Sequence, residues 1–382
     1  MKTEGLTIAV VGAGIGGLAA ATALRRTGAD VVVLEQASEI SEVGAGLQIS
    51  ANGLVVLKAL GAVSDAIEAG QRSHGTILRD YKSGRFISRV RVPSAGSTYY
   101  YHRADLIDLL LKATQASGAE IRLNSKVQSI QEDQDKVYIQ LENGEALTAD
   151  FLIAADGGRS VIRPYLNGEE IPGFSHQVAW RATIPWNLEL KAPKAHLTMG
   201  PGRHVVTYPL RDQSLMNIVA IEERSDWQEE SWRHKGDPDE LRERFSGFGG
   251  KVGEILNEVH ECFVWALHLR PVARKWQNGR VALLGDAAHP TLPFMAQGAC
   301  LALEDALILA RSFEADTLAD ALSHYESARA GRARRIVETA TANARNFHLR
   351  GPMRVAAQMA LTAMGPRLGR RYEWIYNYDA TA

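Results

Sequence analysis

The chain has 382 residues, of which 46% are hydrophobic and 23% are charged, and its formal net charge is −1. The length suggests two or three packed units, the composition excludes a disordered chain, and the charge gives no attraction to nucleic acid or anionic membranes. The two cysteines, Cys262 and Cys300, exclude a disulfide framework and a cysteine-based zinc site, and they fit a reducing compartment.

The N-terminal segment has the pattern of a βαβ unit. Leu6 to Val11 is an apolar run typical of a buried parallel strand, Gly16 to Arg26 is a helix of small residues, and Asp30 to Leu34 is a second strand. A secretory signal peptide is the alternative for this apolar start, but the glycines at fixed offsets and the following strand disfavour it. Because no stretch offers the roughly 20 uninterrupted apolar residues of a membrane span, we expect a cytoplasmic protein.

A G-x-G-x-x-G motif joins this strand to this helix and indicates dinucleotide binding. Gly12 permits the tight turn, Gly14 lets a pyrophosphate approach the backbone, and Gly17 lets helix and strand pack closely. The phosphates would then bind free N–H groups at the positive end of the helix. Glu35 ends the second strand, where its carboxylate can accept hydrogen bonds from ribose hydroxyls. The motif does not distinguish FAD from NAD.

The middle of the chain changes from a mixed to a strand-rich pattern. Arg103 to Ser117 has helical spacing, and from about Gly173 to Leu269 short strands rich in Trp, Thr and Val alternate with Gly/Pro turns. The strands predicted between these two segments are Ile121 to Leu123, Val137 to Leu141 and Phe151 to Ala154. The helices predicted after them are Gln297 to Arg311, Leu318 to Ala344 and Met353 to Met364. The strand-rich unit therefore looks like an insertion into the first unit.

Val281 to Asp305 carries the second motif and reads VALLGDAAHPTLPFMAQGACLALED. An apolar strand ends at Gly285 and Asp286, a proline-containing loop follows, and a helix begins near Gln297. This pattern resembles the aromatic-hydroxylase family of FAD-dependent monooxygenases, which includes salicylate hydroxylase, 3-hydroxybenzoate 6-hydroxylase and 6-hydroxynicotinate 3-monooxygenase. In that family the aspartate binds the ribityl chain of FAD, and the helix N-terminus points at the flavin pyrimidine ring. The alternative for Asp286 is a turn or helix-cap residue.

Ala154 to Arg163 carries the third motif, and it is similar to the same family's Asp-Gly fingerprint at Asp156, which joins FAD binding to nicotinamide binding. Further segments also look like parts of this family: residues 42–48 beside the flavin ring, 102–106, 200–210 and the tail at 373–379. The resemblance implies the following FAD-binding residues: Gly12, Gly14, Gly16, Gly17, Glu35, Gln36, Gln48, Arg103, Val127, Asp156, Asp286, Gly298, Ala299 and Cys300.

The resemblance also implies the architecture. We expect an α/β protein in which a Rossmann-like FAD-binding domain carries an inserted β-rich substrate domain and ends in a helical region. The expected FAD-binding domain is discontinuous and comprises residues 1–72, 101–172 and 270–315. The expected substrate domain comprises residues 73–100 and 173–269, and residues 316–382 form the helical C-terminal region. The expected assembly is a monomer or a homodimer.

The chemistry implied by the resemblance is hydroxylation of a small phenolic aromatic or a hydroxypyridine, with a carboxylate such as salicylate or hydroxybenzoate as the favoured substrate. NADH or NADPH reduces FAD, O2 adds at flavin C4a, and the hydroperoxide transfers its terminal oxygen to the ring. A phenol becomes a good nucleophile once its proton is removed, and a neutral histidine suits that task. His204 is the candidate base, with Tyr208 on the same strand face. The alternative is a structural histidine.

Four residues are expected at the substrate: Gln48, Arg181, Pro293 and Phe294. Gln48 stands where the 6-hydroxynicotinate 3-monooxygenase group has His, and Phe294 stands where relatives often have His or Tyr, so the identity of the substrate stays open. Arg181 can pair with a substrate carboxylate or can form an ion pair at the surface or beside the flavin. His289 is expected to be structural.

Three other functions are the alternatives. An NAD-dependent dehydrogenase without flavin leaves Val281 to Asp305 unexplained. A flavin-dependent halogenase would need a G-W-x-W-x-I segment, which the sequence lacks. A flavin-binding regulatory protein is supported by the arginine-rich tail between Arg329 and Arg371, where Glu338 is the single acidic residue. That tail is either a surface for an acidic partner or a solvated helix face with ion pairs to the rest of the chain.

Overall fold

The computed structural model describes residues 3–40, 45–91, 96–186, 192–226, 231 and 234–382. Its strands are β1 (Thr7–Val11), β2 (Asp30–Leu34), β3 (Gly46–Ile49), β4 (Gln71–Arg72), β5 (Thr76–Asp80), β6 (Phe86–Val90), β7 (Tyr99–His102), β8 (Glu120–Arg122), β9 (Val127–Glu132), β10 (Val137–Leu141), β11 (Ala146–Ala149), β12 (Phe151–Ala154), β13 (Gly173–Pro185), β14 (Ala195–Gly200), β15 (Arg203–Leu210), β16 (Leu215–Glu223), β17 (Lys235–Gly236), β18 (Cys262–Leu269), β19 (Gln277–Asn278) and β20 (Val281–Leu283). Its helices are α1 (Ile15–Arg25), α2 (Ala51–Ala59), α3 (Val63–Ala69), α4 (Arg103–Ala116), α5 (Arg163–Asn167), α6 (Pro238–Arg244), α7 (Gly250–Asn257), α8 (Gly298–Ser312), α9 (Leu318–Phe347), α10 (Gly351–Met364) and α11 (Glu373–Tyr376), with 3-10 turns at Gly285–Ala287 and Gly365–Tyr372.

A six-stranded sheet has the order β19-β20-β12-β1-β2-β8. It contains both β1, which leads into the first sequence motif, and β20, with which the second motif begins. All its pairs are parallel except β19 with β20. Its central strands are apolar because both faces are covered, as is usual for parallel sheets: Ile8 and Val10 are fully buried, and so is every residue of β12. The expected doubly wound α/β fold is confirmed, and β1 and β20 lie in one sheet.

An eight-stranded sheet in the order β17-β18-β13-β16-β15-β14-β5-β6 forms the second layer system. Its pairs are antiparallel except β14 with β5, so two distant chain segments share one sheet. The face with Trp180 and Val205 packs on α6 and α7. The opposite face, with Ala179 and Ile221, packs on the loop around Phe294 and on α9. The β-rich unit predicted from the sequence is therefore present.

Two three-stranded sheets, β11-β10-β9 and β3-β7-β4, complete the strand pairing of the described residues. The second of these sheets places Gly46 opposite His102 and Gln48 opposite Tyr100. It thereby brings the start of α4 next to the segment that the sequence analysis assigned to the flavin.

The arginine-rich tail is held by the chain itself where α9 crosses α8. Arg329 is fully buried, and its guanidinium lies 2.7 Å from both Glu304 and Asp305. Arg332 lies 2.8 Å from Glu304 and stacks over the Tyr378 ring at 3.9 Å. These contacts support the ion-pair interpretation of the tail. Within the described ranges, no helix has the length and hydropathy that crossing a membrane requires.

Candidate active site

Three of the four glycines in the turn after β1 are closely packed, and the fourth is open. Gly12 has φ +100°, and a Cβ there would lie 2.6 Å from the Ala155 carbonyl oxygen. A Cβ on Gly16 would lie 2.6 Å from Leu284 Cδ2, and one on Gly17 would overlap the Gly12 carbonyl oxygen. Around Gly14, by contrast, nothing lies within 4 Å of the Cβ position. The turn is therefore open at the one glycine where a pyrophosphate would approach.

Glu35 is braced beside this turn by two backbone donors. Its carboxylate accepts hydrogen bonds from Ala13 N at 2.8 Å and Ala37 N at 2.9 Å. Gln36, the next residue, is exposed. Ser125 N donates to the Glu35 carbonyl oxygen at 2.8 Å, which places Val127, the buried first residue of β9, near the same end of β2. These groups lie close enough together to bind the ribose and the base of one adenosine.

Asp286 is a carboxylate without a hydrogen-bond partner among the described residues, in an open recess at the end of β20. Although its side chain is exposed to the recess, the protein packed around the carboxyl group raises its pKa, against the attraction of His289 and Arg103. Its Oδ1 lies 4.0 Å from the Cβ position of Gly298, where α8 begins. That helix start has no side-chain cap and no acidic residue in its first turn. The Asp286 carboxylate, which can accept hydrogen bonds, and the free N–H groups at the start of α8 therefore face the same recess.

Asp156 lies at the other side of the glycine-rich turn. One carboxylate oxygen accepts a hydrogen bond from Val161 N at 2.8 Å, whereas Oδ1 is buried and has no partner in the described part of the chain. Burial raises the pKa of this carboxyl group. The Asp156 Cα lies 3.2 Å from the Cβ position of Gly12, so the first and third motifs meet at one point.

A buried polar network holds the start of α8 on its core side. Asn52 Nδ2 donates to Gln297 Oε1 at 2.9 Å and to Glu304 Oε1 at 2.6 Å, and Gln297 Nε2 donates to Ser50 Oγ at 3.0 Å. The Cys300 thiol lies 3.5 Å from Ser50 Oγ, and burial raises its pKa to about 11. The side chain of Cys300 thus points into the protein core, which leaves its backbone N–H as the group for a cofactor.

His289 belongs to the same core. Its Nε2 lies 2.5 Å from Asp305 Oδ2, and the side chains of both residues are fully buried. Burial raises the pKa of Asp305, but the charges of His289 and Arg329 outweigh burial and lower it to about 2. This placement agrees with the expected structural role of His289.

These groups fit FAD. The recess offers the open backbone at Gly14, the uncapped start of α8, and the carboxylates of Glu35, Asp156 and Asp286. A further unpartnered group lies on the sheet: Asn217 is fully buried, its Oδ1 accepts from Gly46 N at 2.7 Å, and its Nδ2 has no acceptor among the described residues. An unmet buried donor is costly unless a ligand oxygen satisfies it.

A cavity of about 430 Å³ opens beside this recess. Gln48, Ser50, Ala296 and Gln297 line its inner side, and no acidic side chain is found in its described lining. The remaining lining residues are Arg72, Ser73, His74, Gly75, Thr76, Val90, Arg91, Gly96, Ser97, Thr98 and Tyr376. Positive charge without acidic groups favours an anionic ligand. Residues 42–44, which the sequence analysis placed beside the flavin, lie outside the described residues.

One face of the large sheet carries the polar side chains of the substrate region. The strand register puts Arg181 opposite Val219, His204 opposite Ile221 and Tyr208 opposite Asn217. Because side chains alternate along a strand, all of these residues lie on the face that packs against α9. The expectation that His204 and Tyr208 share a face is met.

His204 is 2% exposed and lies among aromatic rings. Its ring centroid is 5.4 Å from those of Phe294 and Phe347, and its Nδ1 lies 2.8 Å from His348 Nε2. Burial and the nearby His348 hold the pKa of His204 well below 6.5, so His204 is neutral at neutral pH. The one hydrogen bond of this ring within the described residues is made by Nδ1, not by Nε2. Pro293, beside Phe294, is half-buried.

Tyr208 lies at the other end of the strand, about 13 Å away at 3.3 Å per residue. Its ring packs on Tyr100 with a centroid distance of 4.8 Å, and burial raises its pKa well above the usual value. Arg181 acts electrostatically on Tyr208 and lies over the Trp265 ring at 5.2 Å. The structure therefore groups Phe294 with His204, and Arg181 with Tyr208.

Three residues at this site were missed by the sequence analysis: Asn217, Glu223 and His348. Asn217 lies in an apolar strand, where an isolated polar residue on the inner face is the one available signal. Glu223 is the last residue of the same strand, and His348 directly follows α9. Helical periodicity marks the end of α9 but cannot indicate that His348 packs against His204, 144 residues away.

Comparison with known proteins gives a consistent result. The family model described as FAD binding domain matches residues 5–340. A 3-amino-4-hydroxybenzoate 2-monooxygenase of Streptomyces platensis is 31% identical over 385 residues, covering 98% of this chain and 96% of that protein. A 3-hydroxybenzoate 6-hydroxylase of Klebsiella oxytoca is 33% identical over 385 residues, covering 97% and 96%. A salicylate hydroxylase substrate complex superimposes with a TM-score of 0.84 at 27% identity, covering 100% of this chain and 97% of that one.

Proposed function

Because the chain belongs to the FAD binding domain family and has flavin-dependent aromatic hydroxylases as relatives along its whole length, we propose that it hydroxylates a small phenolic carboxylate or a hydroxypyridine with NADH or NADPH and O2. The single observation that carries the proposal is a neutral, buried His204 on the sheet face beside the FAD recess. The regulatory alternative loses its support, since Arg329 and Arg332 of the tail are paired within the chain.

FAD, when bound, supplies the oxidation chemistry, taking electrons from the nicotinamide and activating O2. We propose that Glu35 and the open turn at Gly14 hold its adenosine and pyrophosphate. Asp286 and the backbone at Gly298 would hold the ribityl chain and the flavin ring. Arg103, whose charge acts on Asp286, supports the same location. The expected discontinuous FAD-binding domain of residues 1–72, 101–172 and 270–315 is consistent with the six-stranded sheet.

The chain's own residues would prepare the substrate. His204 Nε2 is free to accept the phenolic proton, and Phe294 supplies an apolar surface for the ring. A carboxylate suits the cationic groups of the region, namely Arg181 on the sheet and Arg72 and Arg91 at the cavity. The identity of the relatives supports the same class of substrate. We further propose a cytoplasmic location, where the buried thiols of Cys262 and Cys300 stay reduced.

A substrate screen tests this function. Purified protein reconstituted with FAD is given NADH or NADPH and a panel of 3-hydroxybenzoate, 3-amino-4-hydroxybenzoate, salicylate and hydroxypyridine carboxylates. We expect at least one compound to stimulate nicotinamide oxidation and to yield a product with one added oxygen atom. Benzoate, which lacks the phenol, is the matched control and should not be hydroxylated. A panel in which no compound gives an oxygenated product contradicts the proposal.

A further inference from the structure

We propose that His348 and Glu223 form a proton relay that carries the substrate's phenolic proton from His204 to solvent. The inference rests on the proposed function and adds two residues to it. Neither would touch the substrate: both would act through His204.

The relay groups form a row that leads from the core to the surface. His204 Nδ1 lies 2.8 Å from His348 Nε2, at hydrogen-bond distance, and His348 Nδ1 lies 3.3 Å from Glu223 Oε1, within ion-pair distance but without the alignment of a hydrogen bond. Glu223 Oε2 accepts a hydrogen bond from Arg350 Nη2 at 2.5 Å. The exposed fraction of the side chains rises from 1% at His348 to 37% at Glu223 and 66% at Arg350. The row therefore ends in water.

The backbone holds the three relay groups in register. Gly202 N donates to the His348 carbonyl oxygen at 3.0 Å, and Glu223 N donates to the Gly202 carbonyl oxygen at 2.8 Å. Gly202 has φ +70°, and the Arg350 guanidinium fills the space that a Cβ there would need. The turn between β14 and β15 thus connects the end of α9 to the end of β16 through backbone hydrogen bonds. These bonds fix the positions of His348 and Glu223 independently of the contact between the two histidines.

The surroundings of His204 leave one polar exit for a proton. Its ring faces Phe294 and Phe347, and within the described part of the chain its single hydrogen-bond partner is His348. Burial also lowers the pKa of His348 to about 4, against the attraction of Glu223 and together with the repulsion of Arg350 and Arg203. Neither imidazole is a stable resting place for a positive charge, so the proton must pass on to Glu223 and water.

The transfer balances without any further reactant. His204 Nε2 takes the proton as the phenol O–H bond breaks, and His204 Nδ1 gives its proton to His348 Nε2. His348 Nδ1 gives its proton to the Glu223 carboxylate, which releases it to solvent. Each imidazole changes tautomer and stays neutral overall, and the return to the first tautomers resets the relay.

The test uses His348→Gln and Glu223→Gln, with His196→Gln as the matched control. His196 is a part-buried histidine of the same sheet, on β14, and bonds Arg79 at 3.0 Å instead of the relay. We expect His348→Gln and Glu223→Gln to be reduced normally by NADH, with KM for the substrate little changed. Their hydroxylation rate should fall by about 10²-fold with a matching rise in H2O2 per NADH, since lost proton transfer typically costs this much. His196→Gln should retain the wild-type coupling.

A substrate that is already ionised separates a relay from a structural role. A ring-fluorinated analogue, whose phenol has lost its proton at the assay pH, needs no relay, so both variants should hydroxylate it at the wild-type rate. An equal loss with both substrates overturns the relay, as does normal coupling in both variants with the ordinary phenol. If His348→Gln does not fold, Glu223→Gln alone decides, because its side chain is partly exposed. A wild-type protein that hydroxylates nothing refutes the proposed function and the relay together.

Discussion

The position of His204 on its strand follows from the local sequence, whereas its pKa depends on neighbours that are distant in the sequence. Strand alternation sufficed to predict that His204 and Tyr208 share a face, and the register confirms it. The low pKa of His204 could not be predicted, because it depends on burial between Phe294 and Phe347 and on His348. The catalytic assignment itself remains a prediction.

His204→Ala tests that assignment. The variant should bind FAD and be reduced by NADH, whereas hydroxylation should fall by about 10²-fold or more, the usual contribution of a positioned base. H2O2 release per NADH should rise in proportion. A base works when unprotonated, and burial holds the pKa of His204 well below 6.5, so wild-type hydroxylation should decline with falling pH only well below 6.5. A wild-type ratio of product to peroxide in the variant would leave His204 a structural residue.

The carboxylates of the recess make a second prediction at the same scale. Glu35→Gln and Asp286→Asn keep the side-chain size and remove the charge, and a charge-assisted hydrogen bond contributes roughly 1.5–3 kcal/mol. Each variant should therefore bind FAD about ten- to a hundred-fold more weakly, as measured by flavin fluorescence on titration. Asp133→Asn, at an exposed turn before β10, is the control and should bind normally. Unchanged FAD affinity in both recess variants would show that FAD does not bind at this location.

The elements that were predicted with bounds lie within a few residues of their observed ends, since periodic segments carry a strong signal. Val137 to Leu141 and Phe151 to Ala154 match β10 and β12 at both ends, and α9 extends three residues beyond its predicted end at Ala344. The two-residue strands β4, β17 and β19 were not predicted, because they are too short to show a period. The β3-β7-β4 sheet was also missed, because β3 and β7 are four residues each and neither shows the alternation of apolar and polar residues that indicates a strand.

The glycine-rich turn yields a prediction that separates folding from binding. Gly14 has open space at its Cβ position and an ordinary φ of −76°, so Gly14→Ala should fold with a nearly unchanged melting temperature when flavin is removed. It should nevertheless lose FAD affinity, because the methyl group projects into the recess. Gly17→Ala should lower the melting temperature of the same flavin-free protein, since its Cβ overlaps Gly12. Equal melting temperatures for the two variants would contradict this division.

The contact between α8 and α9 depends on buried charge. Removing one partner of such a network leaves an unpaired buried charge and typically costs 3–5 kcal/mol, on the order of a third of a domain's stability. Arg329→Met should therefore lower the free energy of unfolding by about 3–5 kcal/mol in denaturant titrations. Arg334→Met, on the exposed side of α9, is the matched control and should change it by about 0.5 kcal/mol or less. A similar small change in both would show that the network is dispensable.

At the scale of the whole molecule, the insertion of a β-rich unit between FAD motifs was predictable, because the motifs are local and their order along the chain is visible. The parallel pairing of β14 with β5 was not, since it joins segments that carry no shared pattern. The same holds for the row from His204 to Glu223, which needs α9, β15 and β16 to meet. Three-dimensional assembly, more than local sequence, completes the site.

One measurement tests the central claim most directly: hydroxylation under oxygen-18 gas by the FAD-loaded protein, with NADH and the best substrate of the screen, followed by mass analysis of the product. The account predicts one oxygen-18 atom per product molecule, formed in near-equal amount to the NADH consumed, and about 10²-fold less of it from His204→Ala. NADH oxidation that no phenolic carboxylate or hydroxypyridine stimulates, or a product whose new oxygen comes from water, would contradict it.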